Sequence, residues 1–205
     1  MPATADTTVP AAPAIAAARF RLPALPRNEV PGALRAGAGF AAFFGTLWLV
    51  QGLRPAGGLP AAALGLLPGV AIAAYLRHTR HTAFRPGASR ATGRDAETAR
   101  RYIRRVTFAE FAISFPGAVA VQFLIGPAAV LPFIILTVGG YLLALAPVIR
   151  HPHILAVGTV LAILPLLSTM LLSGTERTLV TGLVGGSVYL TKAIIDLRIS
   201  RRWLT

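Results

Sequence analysis

An all-α, polytopic helical membrane bundle is the fold class this sequence predicts, and three observations carry the prediction. The 205 residues are 55% hydrophobic and only 13% charged, where a soluble domain carries charge on about a quarter of its positions. The apolar residues gather into blocks of about 20, enough at about 1.5 Å of rise per residue to cross a hydrocarbon core of about 30 Å. The basic residues fall mostly between those blocks, as in the tails and loops of a membrane protein.

Residues 1–32 carry prolines at 2, 10, 13, 23, 26 and 31. Such spacing forbids a long helix, so this segment is expected to be a mobile tail ahead of a six-helix domain covering 33–205. The opening M-P-A-T-A-D-T-T-V-P lacks the basic region and apolar run of a signal peptide. Insertion then relies on the first span.

Span 1 covers 35–53, where Gly37, Ala41 and Gly45 recur every four residues and open a face to a close helix neighbour. Trp48 and Gln51 are expected near the far interface. After the turn R-P-A-G-G, span 2 covers 59–76, with Pro60 in its first turn, Gly65 and Gly69 on a second small-residue face and a kink at Pro68. Between residues 77 and 105, from Arg77 to Arg105, nine arginines face only two acids, Asp95 and Glu97. The run D-A-E-T-A-R-R-Y-I-R-R reads as a helix lying on the membrane surface. Span 3 covers 106–125 and is interrupted at Pro116-Gly117; spans 4, 5 and 6 cover 130–149, 153–172 and 178–197.

With both termini in the cytoplasm, seventeen arginines lie inside and two, Arg54 and Arg177, outside. That asymmetry is the positive-inside pattern and agrees with six spans. It also accounts for the net charge of +13, which in a soluble chain would point to nucleic acid. No nucleic-acid partner is therefore expected. The partners implied are the lipid bilayer of a bacterial cytoplasmic membrane, anionic lipid at the 77–105 loop, and a second copy of the chain in a homo-oligomer. The turns P-A-G-G-L-P (55–60) and P-A-A-V-L-P (127–132) match at an offset of 72 residues. Either spans 1-2 and 3-4 are parallel repeats, or the match is coincidence in a chain rich in Pro, Ala and Leu.

Few residues could carry chemistry. Glu110 is an acid inside span 3, and such a group costs about 2.5–3.5 kcal/mol at the centre of a span, so a functional role is the default hypothesis. Its bland alternative is a structural ion pair with Arg104 or Arg105. Lys192 and Asp196 lie four apart on one face of span 6, with Asp196 at the unfavourable end of the helix dipole and in want of a cation from elsewhere. A Glu110–Lys192 bridge, with Asp196 turned to Arg104 or Arg198, would join spans 3 and 6. Gln122, Tyr141, Gln51 and Tyr189 are the polar groups that could stand beside Glu110 in a solute path.

The four histidines fall on the cytoplasmic side, as His78 and His81 in H-x-x-H and His151 and His153 in H-x-H. They are weak metal candidates, since Arg77, Arg80 and Arg150 surround them and neither spacing is diagnostic. Catalysis and cofactors find little support. Ser173 has no histidine within a span to serve as base, and Gly182, Gly185 and Gly186 form a packing face rather than a phosphate loop. The absence of cysteine removes disulfides and thiolate chemistry.

From Arg104 to Pro152 the chain resembles a family of small, uncharacterised multi-spanning bacterial membrane proteins. The matching features are an acid early in one span, here Glu110, and a V-G-L-H-F-x-P-L-A-like run before a basic turn. Here that run is Val138-Gly139-Gly140-Tyr141-Leu142-Leu143-Ala144-Leu145-Ala146, followed by Arg150-His151-Pro152. It departs from the pattern at Tyr141, where the family has histidine, and at Ala144, where it has proline. The resemblance implies a helical membrane protein and no particular activity. Prolines 68, 116 and 165 within spans free backbone carbonyls that neighbours or a polar cavity must satisfy, so a small-solute or ion transporter or channel is expected. A scaffold or regulatory subunit that binds a partner and anionic lipid is the rival.

Overall fold

The computed structural model describes residues 24–79 and 93–202, and among the described residues regular structure is helical throughout. The helices are α1 (Val30–Leu64), α2 (Leu67–His78), α3 (Arg94–Leu124), α4 (Val130–Ile149), α5 (Pro152–Leu171) and α6 (Gly174–Arg202), with a short 3-10 turn at Pro127–Ala129. Five helical stretches are long and apolar enough to cross a membrane, and the first, Val30–His78, holds both segments that the sequence assigned to spans 1 and 2.

That first stretch turns back on itself. Gly57 and Gly58 leave helical geometry inside α1, and Gly58 adopts φ +63°, ψ −146°, a conformation glycine reaches without strain. The returning arm then lies antiparallel on the outgoing one. Arg35 Nη2 donates to Leu76 O (3.1 Å) and to Thr79 Oγ1 (2.8 Å), Gly69 sits against Thr46, and Gly65 against the backbone of Val50. The arm is interrupted at Gly65-Leu66, whose amides bond three residues back, to Ala62 and Ala63. Pro68, which has no amide to offer, follows at the start of α2.

The remaining helices alternate in direction. Gly117 packs under Phe133 and Ser114 meets Thr137 at 2.7 Å, pairing α3 with α4. Gly139 lies against Leu161 and Ala162, pairing α4 with α5, and Thr181 donates to Ser168 at 2.8 Å between α6 and α5. The most extensive seam joins α1 to α6. A methyl group on Gly182 would lie 2.6 Å from the Cα of Gly52, and one on Gly186 2.7 Å from the carbonyl oxygen of Gly45, so the two backbones touch where only hydrogen separates them. Ala38, Ala41 and Ala42 continue this seam, and α4 supplies Ile135, Val138 and Leu142 to the same core.

Several sequence expectations are corrected. The 94–105 segment is no separate surface helix: α3 runs unbroken from Arg94 to Leu124, because nothing between Arg94 and Phe115 breaks a helix and hydropathy marks only where apolar residues begin. At 31 residues it is about 46 Å long, well beyond the hydrocarbon thickness. Pro116 sits within it without ending it. Trp48 is not interfacial; it is 1% exposed and stacks on Tyr189 with ring centroids 5.0 Å apart, since its face of α1 is the one that meets α6. Of the expected tail, residues 24–32 are anchored at Leu25 and Val30: both are buried, and the Leu25 amide donates to Val148 O at 3.0 Å, a carbonyl that Pro152 has no amide to satisfy. Residues 1–23 lie outside the described residues.

The two P-A-x-x-L-P turns are not equivalent. In the first, Pro55 and Ala56 still belong to α1 and the reversal comes at Gly57-Gly58. In the second, the break comes at Gly126, and Pro127 already opens the next turn of helix. The motif therefore straddles the first reversal and follows the second, as coincidence would leave it.

Candidate functional site

Both ends of the described chain, the end of α2 and the start of α3 come together at one end of the bundle. Arg100 clasps the Glu29 carboxylate with two nitrogens, Nε at 2.8 Å, which ties the approach to α1 onto α3. At the opposite end Arg177 Nε and Nη2 donate to Leu172 O at 3.1 and 2.9 Å, closing the last turn of α5 with a cation where a helix end favours one.

Between these ends α1 is sealed against α6 on one side and hardly meets α3 on the other. The gap is a cavity of about 260 Å³ bounded by α1, α3, α4 and α6, near the small end of ligand sites, which run from about 300 Å³. Its wall is mostly apolar. Glu110 on α3 faces it from one side, Lys192 and Asp196 on α6 from the other, with Tyr141 and Tyr189 between them.

The α6 wall is electrostatically closed. Lys192 Nζ is 2.5 Å from Asp196 Oδ2, with Lys192 3% and Asp196 0% exposed. His153, from the start of α5, places Nε2 2.7 Å from the other oxygen of Asp196. His151 Nδ1 stands 3.1 Å from His153 Nδ1. One tautomer assignment satisfies the chain: His151 donates from Nδ1 to His153 Nδ1, and His153 donates from Nε2 to Asp196. Burial, helped by His153 and opposed by Asp196, holds the His151 imidazole below its usual range, in keeping with a neutral ring.

The α3 wall is open by comparison. Ser114 Oγ donates to Glu110 Oε1 at 3.0 Å, and Thr107 meets the Tyr141 hydroxyl at 3.3 Å just beyond. No ion pair involves Glu110 among the described residues, so neither the Glu110–Lys192 bridge nor a pair with Arg104 or Arg105 forms. The helix dipole does not stabilise Glu110 either. Since α3 begins at Arg94, Glu110 stands about 24 Å along it, far past the first turn where the dipole acts. Asp196 likewise lies more than a turn inside α6, which ends at Arg202; its cation is Lys192 of its own helix and its second partner is His153 of α5, rather than Arg104 or Arg198.

The structure thus brings Glu110, Lys192, Asp196, Tyr141 and Tyr189 to one cavity. Gln122 and Gln51 are exposed on the outer faces of α3 and α1 and do not line it. His78 is exposed at the end of α2, His81 lies outside the described residues, and no group of three or more acids and histidines among the described residues is arranged to hold a metal ion. The sequence reading missed the contact of His153 with Asp196 and the aromatic lining from Phe40, Phe44 and Phe111. The H-x-H doublet was its only local signal. Comparison with protein families, curated proteins and solved structures yields no match.

Proposed function

We propose that the chain is an integral membrane protein of six spans that carries a small solute through the cavity between α1, α3, α4 and α6. Counting the two arms of Val30–His78 as separate crossings makes the six. The end that holds Glu29, Arg100, Val148 and His153 then faces the cytoplasm, since most of the described arginines gather there, against Arg54 and Arg177 opposite. Arg104 and Arg105, exposed on α3 where its apolar stretch begins, meet anionic headgroups on that side. The Arg104–Pro152 resemblance fits this reading, and its departure at Tyr141 falls on the cavity wall.

The observation that carries the transport reading is the cavity itself. A bundle that only scaffolds a partner gains nothing from leaving α1 and α3 apart around three ionisable side chains, each of which costs energy to hold there. Accessibility tests it, and the cysteine-free chain gives no background. Cysteines at Ala36, Thr107 and Val138, which line the cavity, are expected to react with a water-soluble maleimide in native membranes. Cysteines at Ala42 in the α1–α6 seam and at Phe123 on the outer face of α3 are expected not to. Reaction at none of the cavity positions would end the transport reading and leave the scaffold.

A further inference from the structure

The charges around the cavity do not cancel. Lys192 and Asp196 neutralise one another at 2.5 Å, and His153 occupies the remaining oxygen of Asp196. That wall offers no net charge to a ligand. Glu110 across the cavity has only the Ser114 hydroxyl as a hydrogen-bond partner among the described residues. An ionised carboxylate in so apolar a place is costly unless something of opposite charge joins it.

Phe40, Phe44, Phe111, Tyr141 and Tyr189 line the same space. Aromatic rings attract a cation by their faces and cover apolar substituents equally well, most strongly where water is excluded; Tyr189 is already engaged by Trp48 and Lys192, which leaves Phe40, Phe44, Phe111 and Tyr141 for a ligand. A hydrated inorganic ion would find one carboxylate and a ring of carbon. A carboxylic acid or phosphate would meet Glu110 with like charge, and a neutral apolar molecule would leave it uncompensated. The site suits a single positive charge wrapped in hydrocarbon.

We propose that the cavity binds small organic monocations, amines or quaternary ammonium compounds bearing apolar groups, with Glu110 as counter-ion and the surrounding rings as the box. This names the solute for the transport reading above and rests on it for the cavity's being reachable from water. Lys192 is no competitor for Glu110 because Asp196 holds it and the Tyr189 ring lies 5.9 Å from its Nζ.

Radiolabelled benzyltrimethylammonium is a suitable probe, because neopentylbenzene has the same shape without the charge. Equilibrium binding to the full chain in lipid nanodiscs is expected to favour the cation at least tenfold over its neutral twin. Glu110→Gln should remove that preference without weakening neopentylbenzene binding, whereas Glu110→Asp keeps part of it. Equal binding of the two probes to the wild-type protein, or a cation preference that survives in Glu110→Gln, overturns the proposal. The first comparison needs no variant, so misfolding of a mutant cannot rescue it. The maleimide experiment separates the failures: a labelled cavity with no cation preference sinks only the ligand class, while an unlabelled one sinks transport.

Discussion

The two acids that face the cavity are held in opposite ways. Asp196 is wholly buried and surrounded, with Lys192 from its own helix, His153 from α5 and the backbone of Gly37 from α1 all close by. Glu110 sits half-buried on a helix that packs chiefly against α4, with a serine for company. The difference separates structure from recognition: a charge fully satisfied by its own protein has nothing left for a ligand, whereas an under-satisfied one does.

The α6 side should therefore break when disturbed and the α3 side should not. The largest effect is expected in the seam that holds α6 in place. Gly182→Leu would drive a side chain into the backbone of Gly52, 2.6 Å from its Cα already at the first carbon. Backbone cannot rotate aside as a side chain can, so the cost should exceed the 1–3 kcal/mol typical of overpacking, about 4 kcal/mol or more. Little folded protein is expected by size-exclusion chromatography in detergent. A monodisperse variant of normal thermal stability would mean that the α1–α6 contact is looser than the packing requires.

Next comes Asp196→Asn, which keeps the shape and removes the charge. Lys192 is left as a buried ammonium without its counter-ion, a change that costs about 3–5 kcal/mol when a buried pair is broken. Adding Lys192→Met should recover most of the loss, since no net charge then remains and the introduced amide oxygen can still accept from His153. Thermal unfolding of the three proteins in one detergent checks this. If the single variant matches wild type, the α6 cluster is no lock.

The contrast between the walls was only half legible in the sequence. Helices α4, α5 and α6 follow from unbroken apolar blocks. Spacing four apart put Lys192 and Asp196 on one face. What spacing could not supply was the partner from another helix. His153 is 43 residues from Asp196, and nothing local to either encodes their meeting. Glu110 was misplaced for a related reason. Hydropathy located the start of the apolar stretch, and the helix had begun three turns earlier in residues that hydropathy scores as loop. Trp48 shows the third limit: an aromatic near the end of an apolar block suits an interface or a core, and only the position of α6 decides.

The smallest effect on stability, and the sharpest on the comparison, belongs to Glu110→Gln. The amide keeps a hydrogen bond with Ser114, fills the same volume and spares the apolar surroundings a charge. Unfolding should shift by less than about 1 kcal/mol, in either direction, since the lost charge-assisted bond and the relieved desolvation oppose one another. The same substitution at the other wall costs several times that, though both replace one carboxylate by one amide beside one cavity. A loss at Glu110 as large as at Asp196 would mean that the α3 acid holds the bundle together after all, through partners that form only in the bilayer, and the site would have to be sought elsewhere. A small loss, joined to loss of cation preference, is what a binding group shows when the fold does not depend on it.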